Sequence, residues 1–212
     1  MLTLLIPRSR PHRVRSFQLT ISLIVLVLGC DTAPPPTPIP PPAPPGPVVP
    51  TPQFVHWAQF PIGTEAVREK VVTNANGSIT VTTTQRLIRK DAQEVVVEQQ
   101  STVSRPDGKT EEPSQEFVFP ATFRLPPNLK EEQFALPSFK AKLTGTEAVK
   151  IGDASYNADV YEWQEANETG PMTVKLWRDH SVPGQTLREE LKIVSNGQTS
   201  IEELKRFVIP PQ

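Results

Sequence analysis

The 212-residue chain carries 22 basic and 23 acidic residues, 25 prolines and a single cysteine. One thiol excludes an intramolecular disulfide, and the balanced charge lacks the basic surplus that nucleic-acid surfaces require. Hydrophobic residues make up 37% of the chain, enough for a core, but they are unevenly spread along it.

Arg8, Arg10, Arg13 and Arg15 form a basic front with no acid before Asp31. Phe17 to Leu28 follows as an apolar run of 12, interrupted by Gln18, Thr20 and Ser22. About 20 residues are needed to cross a bilayer, so the run is too short to span but suits a signal-peptide core. It ends in Val27-Leu28-Gly29-Cys30, which resembles the lipobox of bacterial lipoproteins; Leu28 is a less usual residue two places before the cysteine. The resemblance implies that residues 1–29 are removed by a cut between Gly29 and Cys30, and that the Cys30 thiol takes diacylglycerol. The chemistry suits these residues, because Gly29 is small at the cut and sulfur attacks well as its thiolate. Two or more acyl chains anchor a protein firmly, which places the mature chain outside the cytoplasm on a bacterial membrane. Asp31 resembles the inner-membrane retention signal of Gram-negative lipoproteins and favours that membrane. The mature chain keeps 18 basic against 23 acidic residues, a formal charge of −5, which opposes nucleic acid and anionic surfaces as partners.

Residues 30–53 read as the lipid anchor and a proline-rich tether, with Pro34-Pro35-Pro36, Pro40-Pro41-Pro42 and Pro44-Pro45 followed by Pro47, Pro50 and Pro52. Proline fixes φ and lacks an N–H, so neither helix nor ladder is expected from Asp31 to Pro52. At about 3.1 Å per residue this spacer reaches at most roughly 70 Å. A ligand for an SH3-type groove is the functional alternative, but the segment has no flanking basic residues.

Residues 54–212 read as one antiparallel β domain opening at Phe54-Val55-His56-Trp57. Ile79, Val81, Thr83 and Leu87 alternate with Ser78, Thr80, Thr82 and Thr84, the period of a strand. Asn76-Gly77 suits a tight hairpin back to a strand over 64–73. Further strands are expected over 94–103, 110–119, 143–151, 155–164, 172–178, 187–195 and 199–209. Pro120, Pro126, Pro127 and Pro137 break 120–139 into loop, with one helical turn after Asn128. Ser200-Ile201-Glu202-Glu203 matches a helix capping box, but Asn196-Gly197 between two arms of similar length favours a hairpin. The expected fold is mainly β: one curved antiparallel sheet, a half-barrel or flattened barrel of about 8–9 strands with little helix.

Only His56 and His180 remain in the mature chain. Asp179-His180-Ser181 contains the residue types of a hydrolytic triad, but three neighbours cannot serve one another as relay partners, so a polar turn is the better reading. Glu111-Glu112, Glu131-Glu132, Glu189-Glu190 and Glu202-Glu203 are adjacent acids, which point to opposite faces of a strand. No metal-ligand spacing, glycine-rich phosphate loop or cofactor motif is present. Trp57, Trp163 and Trp177 are the candidate ligand-lining residues, although tryptophans in strand-like contexts usually pack in a core.

Gly152 to Val160, Lys175-Leu176-Trp177-Arg178-Asp179, Val182-Pro183-Gly184 and Arg188-Glu189 form a strand, a Trp-bearing strand, a Val-Pro-Gly turn and a charged strand. This pattern is similar to the second half of TapB-like and LolA-like exported bacterial proteins, over Gly152 to Val208. The resemblance implies a curved sheet with a covering element, and transfers no catalytic residue. A non-enzymatic, membrane-anchored envelope protein binding a partner protein or an apolar ligand is therefore expected. The competing readings are a surface hydrolase with a scattered site and a purely structural module. Cys30→Ser is expected to leave an uncleaved precursor that incorporates no radiolabelled fatty acid; labelling equal to wild type would remove the lipoprotein reading.

Overall fold

The computed structural model describes residues 46–127, 129–167 and 170–211. The signal, the Gly29/Cys30 cleavage and lipidation site and the tether to residue 45 lie outside the described residues. Twelve strands and two short helices follow in the order β1 (Val48–Pro50), α1 (Pro52–Ala58), β2 (Glu65–Asn74), β3 (Gly77–Lys90), β4 (Glu94–Arg105), β5 (Gly108–Glu111), β6 (Gln115–Pro120), β7 (Thr122–Arg124), α2 (Glu131–Ala135), β8 (Lys142–Ile151), β9 (Ala154–Asn167), β10 (Gly170–Arg178), β11 (Thr186–Ile193) and β12 (Thr199–Val208).

Ten strands form one antiparallel sheet in the order β5-β4-β3-β2-β12-β11-β10-β9-β8, with β6 pairing the same edge of β4 as β5. The expected mainly β, open antiparallel architecture is present, and the hairpin at Asn196-Gly197 prevails over the capping box. The sheet has ten strands rather than eight or nine because the expected strand over 110–119 is split. Pro113 lies in the break between β5 and β6, where it has no N–H to give the ladder. Extra residues in β3, β8, β11 and β12 shift the register and bend the sheet. As a result β8 and β12 come within 8 Å, Cα to Cα, although three strands stand between them.

The last prolines of the expected tether do enter the fold, contrary to the expectation for Asp31 to Pro52. Val48–Pro50 pairs with β7, and Val49 is buried. Pro52 occupies the first turn of α1, the one helical position where a missing N–H costs nothing and a fixed φ helps. Trp57 consequently sits on a helix rather than in a strand-like setting. With Phe60 it packs on Leu87, Val95 and Val97, against which Phe54 and Phe119 also lie. A second core joins Ala66, Val160, Trp177, Leu187 and Leu204, with Tyr156 and Phe207 in edge contact beside it.

Register defines two faces. Tyr161, Leu176, Glu189, Glu202, Lys70, Val81 and Val103 are successive partners across the sheet and share one face. Val160, Trp177, Arg188, Glu203, Glu69 and Thr82 form the adjacent row on the opposite face. Both helices lie over the first face, since α1 borders a hollow with Gln85 and both helices border one with Leu176.

On that helix-bearing face Arg68 of β2 is only 4% exposed and has no carboxylate partner among the described residues. Its guanidinium donates to Gln85 Oε1 at 2.6 Å, to the Pro183 carbonyl at 2.7 Å and to the Thr186 carbonyl at 3.5 Å. The β10–β11 loop is thereby tied down onto the sheet. Gly184 has φ +76°, and a Cβ built there would stand 2.4 Å from Arg68 Nη2. Gly184→Ala is expected to destabilise the fold by about 1–3 kcal/mol through left-handed strain and the displaced guanidinium. A lowered urea midpoint at unchanged m would show it, and an unchanged midpoint would refute it.

Candidate functional site

The Arg68-bound loop, α1 and the segment around α2 enclose a hollow of about 260 Å³ over β10 and β11. α1 contributes His56 and Trp57, the α2 segment Phe134, Leu136 and Pro137, and the sheet side Leu176, Arg178 and Gln185. The wall thus mixes apolar side chains with polar ones, three of them of unusual standing.

His56 is 4% exposed. The Gln59 amide Nε2 lies 3.0 Å from His56 Nδ1 and donates to the His180 carbonyl at 3.0 Å, so that amide nitrogen also donates to the ring. The neutral imidazole therefore carries its proton on Nε2, which has no hydrogen-bond partner among the described residues. Burial lowers the His56 pKa to about 4, a backbone contact with Val182 offsets this in part, and His180, Arg178 and Arg68 add to the lowering. The Val182 carbonyl is already engaged by the Gln185 N–H at 3.0 Å.

Gln185 is the one non-glycine residue with positive φ among the described residues, at 61°, and it is 7% exposed with its Oε1 unpaired. Such strain persists where the surroundings over-determine it; here the Gln185 carbonyl accepts from Asp179 N–H at 2.8 Å and the next loop turn is held by Arg68. Arg178, half-buried, donates weakly to the Ala135 carbonyl at the end of α2, at 3.5 Å. Burial pushes its guanidinium below the usual arginine range, opposed only by Tyr161 and Asp159.

A second hollow of about 380 Å³ adjoins the first and shares Phe134, Leu136 and Pro137 with it. Trp163 and Phe139 complete its wall, and Phe139 is 66% exposed. Phe134 stacks on Phe123 with ring centroids 5.3 Å apart. Leu143, 60% exposed, is the second residue of the β8 strand that follows this segment.

The three tryptophans named from sequence do not meet in one cleft. Trp57 and Trp163 border the two adjoining hollows, whereas Trp177 lies on the other face. There its indole N–H donates to Glu147 at 2.7 Å, Lys175 sits 4.7 Å from its ring centre and Arg188 5.3 Å. The Trp177 N–H, and then Lys175, hold the Glu147 carboxylate below the usual range. Trp177 also borders a groove of about 340 Å³ between β8 and β12.

Asp179-His180-Ser181 is a turn in which Asp179 Oδ1 accepts from the Ser181 N–H at 2.8 Å and its hydroxyl at 2.7 Å. The adjacent acids of β11 and β12 do point apart, but register brings Glu189 opposite Glu202 on neighbouring strands. Burial and Glu202 raise the Glu189 pKa, and Lys70 stands 3.9 Å from Glu202. Sequence reasoning named His56 only as one of two histidines and Arg178 only within the Trp-bearing strand, and passed over Gln185, Phe134 and Phe139. No local motif marks them, because they come from four separate elements.

The His56 environment has a consequence for stability. Its folded pKa is below the ordinary imidazole value of 6.5, so the unfolded chain binds the proton more readily. Stability from this group is complete above about pH 6.5 and is lost as pH falls towards 4, by up to about 3 kcal/mol. His56→Gln is expected to flatten that slope in urea titrations between pH 7 and 4; an unaltered slope would assign the acid sensitivity elsewhere.

No family model matches the chain, and no curated protein matches its sequence. Among solved structures it is similar to a protein described as exported, with a YmcC-like fold, from Bacteroides fragilis; identity is 12%, TM-score 0.45, and coverage 70% of this chain and 97% of that one. A protein described as a lipoprotein from Parabacteroides distasonis gives 11% identity, TM-score 0.44, and coverage of 70% and 96%. A domain described as an outer membrane lipoprotein-sorting protein from Vibrio parahaemolyticus gives 8%, 0.27, and 73% and 89%. All three scores lie below 0.5, and the functional reading rests on the chain's own geometry.

Proposed function

We propose that this chain is a lipid-anchored protein of the bacterial envelope that binds a small apolar ligand, without catalysis, in the paired hollows beside α2. The observation that carries this reading is the shared wall of Phe134, Leu136 and Pro137, continued outward by Trp163 and the two-thirds-exposed Phe139. An aromatic side chain left in water forgoes about 25 cal/mol for each Å² of apolar surface, and a contiguous patch of such surface marks a place to be covered. The site is concave, with aromatic and aliphatic side chains beside a set of polar groups that could orient a ligand.

The anchor belongs to the same proposal. Lipidation at Cys30 would hold the domain outside the cytoplasm, with Asp31 favouring the inner membrane. Because β1 begins at Val48, an extended tether over 31–47 would reach roughly 50 Å rather than 70 Å at about 3.1 Å per residue.

Titration of the mature chain, carrying Cys30→Ser to avoid acylation, with N-phenyl-1-naphthylamine would test the site. A saturable fluorescence rise is expected, weakened about 5- to 20-fold by Trp163→Ala or Phe139→Ala. Absent saturation, or saturation indifferent to both substitutions, would overturn the reading.

A further inference from the structure

The two hollows differ in one respect that the apolar wall does not explain: only the inner one has cations around it. Arg178 lines it half-buried, and no carboxylate among the described residues comes within 4 Å of its guanidinium. Asp159, the cross-strand partner of Arg178 on β9, acts on it electrostatically without forming an ion pair, and is a weak acceptor for the Thr146 hydroxyl at 3.5 Å. Behind the wall stands Arg68, buried and likewise bonded only to neutral oxygens. The groups whose charge opposes protonation of His56 are His180, Arg178 and Arg68, and no acid offsets them there. A chain with a formal excess of acids thus places two arginines, neither in an ion pair among the described residues, beside one small hollow.

Half-burying a guanidinium without a counter-ion is costly, and a partner that supplies the anion recovers that cost. Arg178 presents a planar fork of donors of which only one is engaged, and weakly, by the Ala135 carbonyl. A fork of that shape matches a carboxylate in two parallel hydrogen bonds. The His56 N–H stands at the same wall, closed from water and without a hydrogen-bond partner among the described residues, whereas the unpaired atom of the strained Gln185 is its acceptor Oε1, which offers nothing to an anion. The outer hollow, reached past Phe134 and Leu136, has Glu165 but no cation at its edge.

We propose that the ligand of this site is a single-chain amphiphilic carboxylate, with its carboxylate on Arg178 in the inner hollow and its apolar chain running past Phe134 into the outer hollow against Trp163 and Phe139. This deepens the reading of an apolar-ligand site and rests on it. The head group and the chain are recognised by different residues, so they are separable by experiment.

Isothermal titration of the mature Cys30→Ser chain with decanoate, decyl phosphate and decanol would separate them, each compared within the same protein. Decanoate is expected to bind at least about tenfold tighter than decanol, the value of one charge-assisted contact, and tighter than decyl phosphate. In Arg178→Gln the decanoate-to-decanol ratio is expected to fall to about one, and in Arg178→Lys to an intermediate value. Equal binding of decanoate and decanol by the unsubstituted site, or a preference that survives Arg178→Gln, would overturn the carboxylate assignment while leaving an apolar site in place. A preference for decyl phosphate would replace the carboxylate by a phosphate head. Binding of none of the three would overturn this assignment and the apolar-ligand reading together. The wild-type ratio decides the matter even where Arg178→Gln fails to fold, and circular dichroism identifies that case.

Discussion

The arrangement depends on one buried cation. Arg68 reaches from the middle of the sheet to Gln85 on the next strand, to the Pro183 carbonyl of the loop between β10 and β11 and to the Thr186 carbonyl at the start of β11. A guanidinium removed from water is tolerated only when its donors are met, and here neutral oxygens alone meet them. The loop cannot withdraw without leaving that charge unsatisfied, nor can Gly184 acquire a side chain without displacing it. Held in this way, the loop carries Gln185 and the backbone of His180 to α1, where Gln59 bonds to the His180 carbonyl and to the His56 ring. The inner hollow exists because the clamp holds its rim.

The two faces of the sheet are stabilised by different means. Away from the helices, Glu69, Lys205, Glu203, Arg188, Glu190, Lys175, Glu147 and Glu162 form exposed ion pairs in a lattice around Trp177. Each such pair contributes little, about 0–1 kcal/mol, and the lattice chiefly keeps that face solvated. Under the helices, Leu87, Val95 and Val97 are fully buried beneath Trp57 and Phe60. The cover is incomplete: α2 is five residues long with no buried side chain, and beside it the aromatic surface of Phe139 stays exposed. A short, loosely packed element next to exposed aromatics is a suitable place for a ligand to enter, since opening it sacrifices few contacts.

Much of the sheet was legible in the chain. The alternation in β3, the Asn-Gly turns at 76–77 and 196–197 and the turn at Arg105 to Gly108 act through local backbone preference, and the strands they join lie where expected. The misreadings around proline have a common cause. Proline forbids the interior of a helix or ladder, yet Pro52 begins α1 and Pro50 ends β1, because at those positions the missing N–H has no partner to lose. At Pro113 the same property works in the expected direction and divides an edge strand in two. The tryptophans illustrate the other limit: composition singled them out, but Trp57, Trp163 and Trp177 serve three different surroundings.

The sequence by itself determined the features whose physics is local: the short apolar run ending at Cys30, the strand periodicity, the turns and the mainly β class. Tertiary structure alone decided which side chains meet. Arg178 and Gln185 flank one loop, His56 lies on a helix more than a hundred residues earlier, and Phe134 lies on α2, between β7 of the two-stranded sheet and β8 of the ten-stranded one. Their convergence depends on strand order, on the bulges in β11 and β12, and on Arg68 drawing one loop down. Each of these is set by pairings between distant segments, which leave no periodic mark in the chain. The unpaired charge of Arg178 is of the same kind: an arginine in a list of residues has no environment, and only packing removes the water and the carboxylates around it.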